Sequence, residues 1–131
     1  MCTTTRGIGI DSVEIERFKE WHTYPHKSLR RIFSESEIDY CLAVPAKSAE
    51  RFAARFAVRE AFLKALHQAW PDLKIPLLTI CKAIAIIKTP NGAPSILING
   101  KLLKLAASSI ACSVSWTHTK TVATAIVLIE R

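Results

Sequence analysis

Residues Ser48–Trp70 read SAERFAARFAVREAFLKALHQAW, the longest segment of the chain with helical periodicity. Its large apolar residues recur every three or four positions and therefore share one face of a helix. Ser48 is a suitable N-cap, and Pro71 ends the run. The apolar face consists of Phe52, Phe56, Leu63, Leu66 and Trp70. We expect a core helix around which the remaining chain packs.

Charged residues interrupt this apolar face. Arg59 falls within it, Glu60 lies on its flank, and Lys64 follows Glu60 one turn later. The order of Glu60 and Lys64 favours an ordinary salt bridge worth about 0.3–0.5 kcal/mol. Arg51, Arg55 and Arg59 are one turn apart, so they repel one another unless a bound anion or an acidic side chain neutralises them.

The composition suits one compact domain spanning residues 1–131. Half of the residues are hydrophobic, which is enough to bury a core without disulfides or metal. Lys and Arg outnumber Asp and Glu by 18 to 11. This excess predicts attraction to a polyanion: nucleic acid, an anionic membrane, a phosphorylated cofactor or an acidic protein.

The cysteines and the apolar segments favour a soluble, cytosolic protein. No pair of cysteines has metal-finger or redox-motif spacing, so we expect reduced thiols. The apolar stretch Ile75–Ile87 is broken by Lys82 and is shorter than the roughly 20 residues of a membrane span. No signal segment is evident at the N-terminus. The cysteines are Cys2, Cys41, Cys81 and Cys112.

The N-terminal segment predicts a strand, an acidic residue and a helix in that order. Arg6–Ile10 reads as a short buried strand, and Asp11 followed by Glu14 gives a capping pattern for a short helix towards Phe18. A dinucleotide fingerprint fails because Ser12 takes the third glycine position. Asp11 is therefore either a helix N-cap or a metal ligand.

The middle of the chain predicts a helix and a hairpin. Ser34 and Glu37 form a capping box for a short helix through Leu42. Leu77–Lys88 and Pro94–Ile98 read as two strands joined by a T-P-N-G turn.

The C-terminal third predicts a small helix over Lys101–Ser109 and a second hairpin. Its strands are Ala111–Ser115 and Val122–Ile129, and its turn, Thr117–Lys120, contains His118. His118 is either an ordinary polar turn residue or a functional one. Helices before most of the strands indicate an α+β fold with a largely antiparallel sheet.

Four blocks of this sequence, in order, resemble the holo-(acyl-carrier-protein) synthase family of 4′-phosphopantetheinyl transferases. The match extends over nearly the whole chain, so it is more specific than any single block. The blocks are GIGIDSVEIERF (Gly7–Phe18), RRIFSESEIDYC (Arg30–Cys41), RFAARFAVREAFLKAL (Arg51–Leu66) and SVSWTHTKTVATAIVLIE (Ser113–Glu130).

The resemblance implies Mg²⁺-dependent transfer of 4′-phosphopantetheine from coenzyme A to a serine of acyl carrier protein, in support of fatty acid biosynthesis. Asp11 and Glu60 match the metal-binding positions, and oxygen ligands suit Mg²⁺. Lys64 and His118 match positions near the coenzyme A phosphates, and Arg55 is a further phosphate contact. The acceptor of the seryl proton is Asp11, Glu60 or water.

The resemblance also implies partners. Arg17, Arg30 and Arg31 fall in blocks similar to the surface where the family docks the acidic carrier protein. The family is typically trimeric with active sites between subunits, so His118 of one chain need not serve the same site as that chain's own carboxylates.

This sequence departs from the family in three places. Arg59 stands where lysine is common, and a forked guanidinium does not automatically replace an amine. His67–Pro71 replaces a glycine-containing turn after the central helix, and Trp116 replaces a smaller residue.

Two alternative functions follow from the same residues. An inactive oligomeric scaffold would keep the fold without the chemistry. A small nucleic-acid-binding domain would use a phosphate-facing patch, although no helix-turn-helix, finger or RNP-like motif accompanies it. That patch would comprise Arg30, Arg31, Arg51, Arg55 and Arg59.

Overall fold

One long helix occupies the centre of the molecule in the computed structural model, which describes residues 5–105 and 110–130. Within these residues, four shorter α-helices and five strands surround it. The helices are α1 (His26–Leu29), α2 (Glu35–Ala43), α3 (Ser48–Ala69), α4 (Leu77–Ala83) and α5 (Gly100–Leu103). The strands are β1 (Thr5–Glu14), β2 (Ile84–Lys88), β3 (Pro94–Ile98), β4 (Ala111–His118) and β5 (Val122–Glu130).

Helix α3 confirms the expected core helix. Its buried residues extend around the helix beyond the one apolar face that the sequence predicts. All eight residues from 52 to 59 are buried, including the charged Arg55 and Arg59. Helices α2 and α4 and strands β1, β4 and β5 all contact α3. An element enclosed by other elements has no fully solvated face, so its amphipathic pattern is weak.

Two antiparallel sheets confirm the α+β architecture. The larger sheet has the order β1-β5-β4, and the smaller one pairs β2 with β3. In the larger sheet Asp11 pairs with Ala125, which pairs with Trp116 on the other side. Paired residues point to the same face, and this face carries the buried Val13, Ala123 and Ala125 against α3.

Strand β1 lies unusually close to α3. A Cβ atom at Gly7 would overlap the carbonyl oxygen of Ala65, and one at Gly9 would overlap that of Ala61. Only glycine permits this approach of strand backbone to helix backbone. The two glycines therefore fix the position of Asp11, two residues further along the same strand face.

The prediction that Asp11 caps a helix is wrong. Residues 11–14 continue β1, and only a 3₁₀ turn, Ile15–Phe18, follows. Pairing with β5 extends through Glu14 and outweighs the local capping pattern. The strand is also not fully buried, because Ile8 and Ile10 on its outer face are 49% and 58% exposed.

The predicted N-cap of α3 is also wrong. A 3₁₀ turn, Pro45–Lys47, leads directly into the helix, so Lys47 takes the N-cap position without a side-chain bond. Ser48 already has helical backbone angles, and its buried hydroxyl has no hydrogen-bond partner in the residues that the structure describes. At the other end, Trp70 caps the helix through its backbone N–H, which donates to the carbonyl of Leu66 at 2.8 Å.

The capping box of α2 is confirmed. The backbone N–H of Glu37 donates to Ser34 Oγ, and the N–H of Ser34 donates to Glu37 Oε2 at 2.8 Å. These reciprocal bonds satisfy two backbone donors at the start of the helix.

The prediction of one strand over Leu77–Lys88 is wrong in its first half. Leu77–Ala83 forms α4, and only Ile84–Lys88 pairs with β3. A short apolar run does not distinguish a buried helix from a strand, and Pro76 is well placed to start a helix. The hairpin and its turn are confirmed, with Gly92 at φ +84°.

The C-terminal hairpin is confirmed, but β4 is longer than predicted and His118 is its last residue rather than part of the turn. The predicted helix over Lys101–Ser109 is short. Helix α5 ends at Leu103, where Lys104 adopts φ +57°, and residues 106–109 lie outside the described residues.

Within the described residues, Cys41, Cys81 and Cys112 are free thiols, as predicted. Burial raises the pKa of Cys41 and Cys112 to about 12 and that of Cys81 to about 11, so they are poor nucleophiles. Among residues 5–105 and 110–130, no helix is long and apolar enough to cross a membrane.

Candidate active site

The carboxylate of Asp11 lies beside α3, and only one of its two oxygens accepts a hydrogen bond from a described residue. Its Oδ1 accepts a hydrogen bond from Lys64 Nζ at 3.1 Å. Its Oδ2 is buried and has no hydrogen-bond partner among the described residues. An ionised oxygen that is shielded from water and unpaired is costly, so this atom is suited to receive a cation or a donor from a ligand.

Lys64 bonds across to β1 rather than along its own helix. Its Nζ donates to the Ile10 carbonyl at 3.0 Å as well as to Asp11. The predicted Glu60–Lys64 salt bridge is therefore wrong, because the close approach of β1 offers Lys64 two acceptors. The side chain is 54% exposed, so the ion pair with Asp11 is weak enough to rearrange when a ligand binds.

Glu60 lies close enough to Asp11 for the two charges to interact. Burial and the negative charge of Asp11 raise the pKa of the Glu60 carboxyl, while Lys64 and Arg17 oppose this. The structure thus brings together three of the predicted site residues, and adds Arg17 beside them. Two neighbouring carboxylates and a lysine at one edge of α3 form what we call the carboxylate site (Asp11, Glu60 and Lys64).

The carboxylate site fits a hard divalent cation. Magnesium prefers one or two protein carboxylates and completes its shell with water and substrate phosphate. Asp11 and Glu60 supply two such groups, and Oδ2 of Asp11 is free of any competing donor. Over the part of the chain that the structure describes, no group of three or more His, Cys, Asp or Glu side chains could hold a metal by itself.

Arg55 and His118 lie at a second location, in a cavity of about 230 Å³ beside the first turns of α3. Arg55 is 4% exposed, and its buried Nε finds no hydrogen-bond partner in the described part of the chain. His118 Nδ1 lies 3.6 Å from Glu50 Oε2 and 3.1 Å from the Thr119 carbonyl. We call this the cationic cavity; besides these residues it is lined by Tyr40, Lys47, Arg51, Ala54, Lys88 and Trp116.

The structure does not bring His118 to Asp11 and Glu60 of its own chain. His118 contacts Glu50, which is ten residues before Glu60, or about 15 Å along the axis of α3. Within one chain, the predicted site residues therefore form two separate groups.

Arg59 has a structural role that the sequence did not reveal. It is fully buried, and its guanidinium forms a two-pronged ion pair with Glu37 at 3.0 and 2.7 Å. It also donates to the carbonyls of Cys81 and Ile84. The fork joins α2, α3 and the junction of α4 with β2, which a lysine with a single nitrogen could not do.

Glu37 is the residue that sequence reasoning missed. Burial pushes the pKa of Glu37 upwards, but the Arg59 guanidinium and hydrogen bonds from Ser34 outweigh this and hold it below its usual value. Its Oε1 also accepts from the backbone N–H of Ile86 at 3.1 Å. The capping box explained Glu37 completely at the level of sequence, so nothing there indicated a partner 22 residues away.

The three predicted docking arginines have different surroundings. Arg17 stacks on the Phe18 and Phe56 rings. Arg30 is exposed and pairs with Glu35 at 3.1 Å. Arg31 is exposed and lines an apolar groove with Trp21, Tyr24, Ser28, Leu29, Ile32 and Leu78.

Comparison with known proteins identifies relatives over nearly the whole chain. A holo-(acyl-carrier-protein) synthase of Treponema denticola is 35% identical over 126 residues, which cover 95% of this chain and 97% of the relative. The ACPS–CoA complex of Chronobacterium ammoniagenes superposes with a TM-score of 0.77 at 26% identity, covering 98% of this chain and 97% of that one. The Helicobacter pylori enzyme in complex with coenzyme A superposes with a TM-score of 0.69 at 31% identity, covering 93% and 98%.

These matches confirm the resemblance stated above and favour an enzyme over a nucleic-acid-binding domain. The family described as the 4′-phosphopantetheinyl transferase superfamily matches residues 7–127, which include both the carboxylate site and the cationic cavity. This chain therefore belongs to the 4′-phosphopantetheinyl transferase superfamily.

Proposed function

We propose that this protein is a Mg²⁺-dependent holo-(acyl-carrier-protein) synthase. It transfers 4′-phosphopantetheine from coenzyme A to a serine of apo acyl carrier protein and releases adenosine 3′,5′-bisphosphate. The proposal extends to a cytoplasmic enzyme that supports fatty acid biosynthesis, since the carrier protein of that process is its substrate.

The observation that carries the proposal is the pair of neighbouring carboxylates, Asp11 and Glu60. One has a buried oxygen without a partner, and the other has a raised pKa because of burial and its acidic neighbour. Such an arrangement is unfavourable for folding alone and is typical of functional sites. The relatives bound to coenzyme A, a phosphorylated substrate, are consistent with a cation-mediated contact here.

The residues of the carboxylate site have distinct roles in the proposed reaction. Asp11 and Glu60 would hold Mg²⁺, which neutralises phosphate charge and favours departure of the leaving group. Lys64 exchanges its bond with Asp11 for a phosphate oxygen and offsets the charge that develops on the bridging oxygen.

The transfer is a single displacement at one phosphorus atom of coenzyme A. The seryl oxygen of the carrier bonds to the phosphorus next to pantetheine, and the bond from that phosphorus to the bridging oxygen breaks. The electron pair stays with adenosine 3′,5′-bisphosphate. The seryl proton passes to Asp11, Glu60 or water.

We further propose that the enzyme is a homotrimer in which the carboxylate site of one subunit faces the cationic cavity of a neighbour. The separation of the two groups within one chain supports this, because Arg55 and His118 would otherwise be far from the reacting phosphate. The exposed Ile8 and Ile10 on the outer face of the larger sheet offer an apolar surface for a second copy.

The carrier protein would approach through the basic residues of the second block. Arg30 and Arg31 are exposed, and Arg31 borders an apolar groove, which suits an acidic amphipathic helix. Arg17 is close enough to Glu60 for its charge to lower the Glu60 pKa, so it would guide the acidic helix towards the carboxylate site.

A direct assay tests the activity. Purified protein incubated with coenzyme A, Mg²⁺ and apo acyl carrier protein should add the mass of one phosphopantetheine to the carrier, and chelation of Mg²⁺ should stop the addition. Mass spectrometry of the carrier gives the result. Absence of the addition with several carriers would refute the enzyme and leave the inactive scaffold.

The trimeric site predicts complementation between two inactive variants. Glu60→Gln and His118→Ala should each lose most activity, yet a mixture refolded together in equal amounts should recover about a quarter of the wild-type activity. A site needs an intact Glu60 from one subunit and an intact His118 from its neighbour, and each is present with a probability of about one half.

The measurement is the initial rate of carrier modification after refolding the mixture, with each variant refolded alone as the control. A mixture no more active than its components would contradict a site shared between subunits. Light scattering during size-exclusion chromatography gives the oligomeric state independently.

A further inference from the structure

The cationic cavity contains more positive charge than its own acidic groups neutralise. Of the described residues, four cationic side chains line it, and the one acidic lining side chain is Glu50, which faces His118. The first turns of α3 border the cavity, and the N-terminus of a helix adds a partial positive charge. The cationic residues are Lys47, Arg51, Arg55 and Lys88.

Two aromatic rings hold Arg55 in the cavity, and no acidic side chain within residues 5–105 and 110–130 forms an ion pair with it. Its guanidinium carbon lies 4.7 Å from the Tyr40 ring centre and 5.5 Å from that of Trp116. Its Nη1 donates to the Arg51 carbonyl at 3.3 Å, and its buried Nε has no partner. Arg59, one turn further along α3, shows the usual alternative, because Glu37 neutralises it.

Tyr40 also contacts two neighbouring cationic side chains, those of Arg51 and Lys88. Arg51 lies 3.9 Å above its ring centre and donates from Nη1 to the Tyr40 carbonyl at 2.7 Å. Lys88 Nζ lies 3.3 Å from the Tyr40 hydroxyl. An aromatic face attracts cations while leaving their charge available to an anion, which a carboxylate partner would not do.

We propose that Tyr40 and Trp116 are positioning residues that hold the Arg55 guanidinium between two aromatic faces, ready to receive a phosphate group of coenzyme A. The assignment of coenzyme A as ligand rests on the proposed function. Nothing in the sequence alone paired Trp116 with Arg55, although Trp116 was one of the departures from the family. Preorganisation of Arg55 lowers the entropic cost of the phosphate contact.

This positioning should strengthen binding of the nucleotide without changing the transfer step. An interaction made equally in the bound substrate and in the transition state lowers KM and leaves kcat unchanged. Trp116→Leu and Tyr40→Leu should therefore each raise KM for coenzyme A by roughly tenfold, the scale of a desolvated cation–π contact, with kcat changed by less than about twofold.

The test measures KM and kcat with coenzyme A and with dephospho-coenzyme A, and calorimetric binding of both nucleotides without carrier. If KM rises for coenzyme A alone, Arg55 binds the 3′-phosphate, which dephospho-coenzyme A lacks. If KM rises equally for both nucleotides, Arg55 binds the pyrophosphate. Either result supports the proposal. An unchanged KM in both leucine variants, or a loss confined to kcat, overturns it.

Three matched variants separate positioning from general damage. Tyr40→Phe and Trp116→Phe keep an aromatic face and should retain KM within about threefold, which rescues the leucine phenotype. Trp70→Leu removes a ring that stacks on Arg6 at 5.7 Å outside the cavity and should leave KM unchanged. Equal losses in the phenylalanine and leucine variants would reduce Tyr40 and Trp116 to packing residues.

Failure of this proposal is distinguishable from failure of the proposed function. A wild-type protein that never modifies a carrier refutes the function, and the calorimetric comparison still decides whether the rings matter for nucleotide binding. A wild-type protein that modifies the carrier while both leucine variants bind coenzyme A normally refutes only the positioning role.

Discussion

Replacing Glu60 by glutamine should abolish transfer of phosphopantetheine and at the same time stabilise the metal-free protein at neutral pH. The variant keeps the shape of the side chain but removes a charged oxygen ligand. Loss of a metal contact worth several kcal/mol should lower the rate by a factor on the order of a thousand. The rate is measured by carrier modification at saturating Mg²⁺.

The gain in stability follows from the direction of the Glu60 pKa. Burial and the charge of Asp11 raise this pKa in the folded protein above its value of 4.5 in the unfolded chain. Below pH 4.5 the carboxyl is neutral in both states, and its contribution to stability is complete. That contribution is lost as the pH rises through the folded pKa, because the folded state must then give up its proton.

The thermal unfolding midpoints of the wild type and Glu60→Gln should therefore be similar near pH 4 and diverge as the pH rises, with the variant higher. Addition of Mg²⁺ should raise the midpoint of the wild type but not that of the variant, because a ligand stabilises only the state that binds it. A variant that is less stable than the wild type at pH 7 without metal would contradict the unfavourable pairing of the two carboxylates.

Substitutions of two aspartates provide the comparison. Asp11→Asn should also abolish turnover, since it removes the other proposed ligand. Asp72→Asn makes the same chemical change at an exposed position after α3 and should leave turnover within about twofold. Turnover lost in Asp72→Asn as well would show that general loss of negative charge, rather than the carboxylate site, is responsible.

Features that depend on local pattern could be predicted from the sequence. The periodicity of α3, the capping box before α2 and the C-terminal hairpin each involve residues a few positions apart, and all three appear in the structure. The four ordered blocks also allowed the family to be predicted, because their joint occurrence is far more specific than any local pattern.

Features decided by distant contacts could not be predicted in this way. Asp11 has the local pattern of a helix cap, but pairing of β1 with β5 keeps it extended. Lys64 has a favourable partner one turn away in Glu60, yet it bonds to Asp11, 53 residues distant in sequence. In each case, packing between elements offered a stronger arrangement than the local one, and a single sequence does not record it.

Arg59 was noticed in the sequence, but its partner could not be identified there. A charge inside an apolar stripe was a correct sign that something unusual occupies that position. Its partner Glu37 already had a sufficient local explanation as part of the capping box, so the two residues were not connected. In the carboxylate site, by contrast, Asp11 and Glu60 were separate candidates in the sequence, and only the family resemblance predicted that they act together.

Removing Glu37 should produce the largest loss of stability among single substitutions at charged residues of this protein. Glu37→Ala leaves the Arg59 guanidinium buried without its carboxylate and also leaves the N–H of Ile86 unpaired. Breaking one partner of a buried ion pair costs about 3–5 kcal/mol, which is a large share of the 5–15 kcal/mol that stabilises a typical domain. Urea unfolding followed by circular dichroism measures the loss.

The double variant Glu37→Met/Arg59→Met distinguishes an unpaired charge from lost packing. Replacing both partners by apolar side chains of similar volume removes the buried charge, so it should recover more than half of the stability lost in Glu37→Ala. Recovery should not be complete, because the backbone N–H groups of Ser34 and Ile86 still lack the carboxylate that they bond in the wild type.

The pH dependence provides a second criterion. The pKa of Glu37 is lowered in the folded protein, so its contribution is present above the unfolded value of 4.5 and is lost as the pH falls through the folded value. The stability advantage of the wild type over the double variant should shrink as the solution is acidified below pH 4.5. A double variant as unstable as Glu37→Ala, with an advantage that does not depend on pH, would show that packing at this position, and not the ion pair with Arg59, joins α2 to α3.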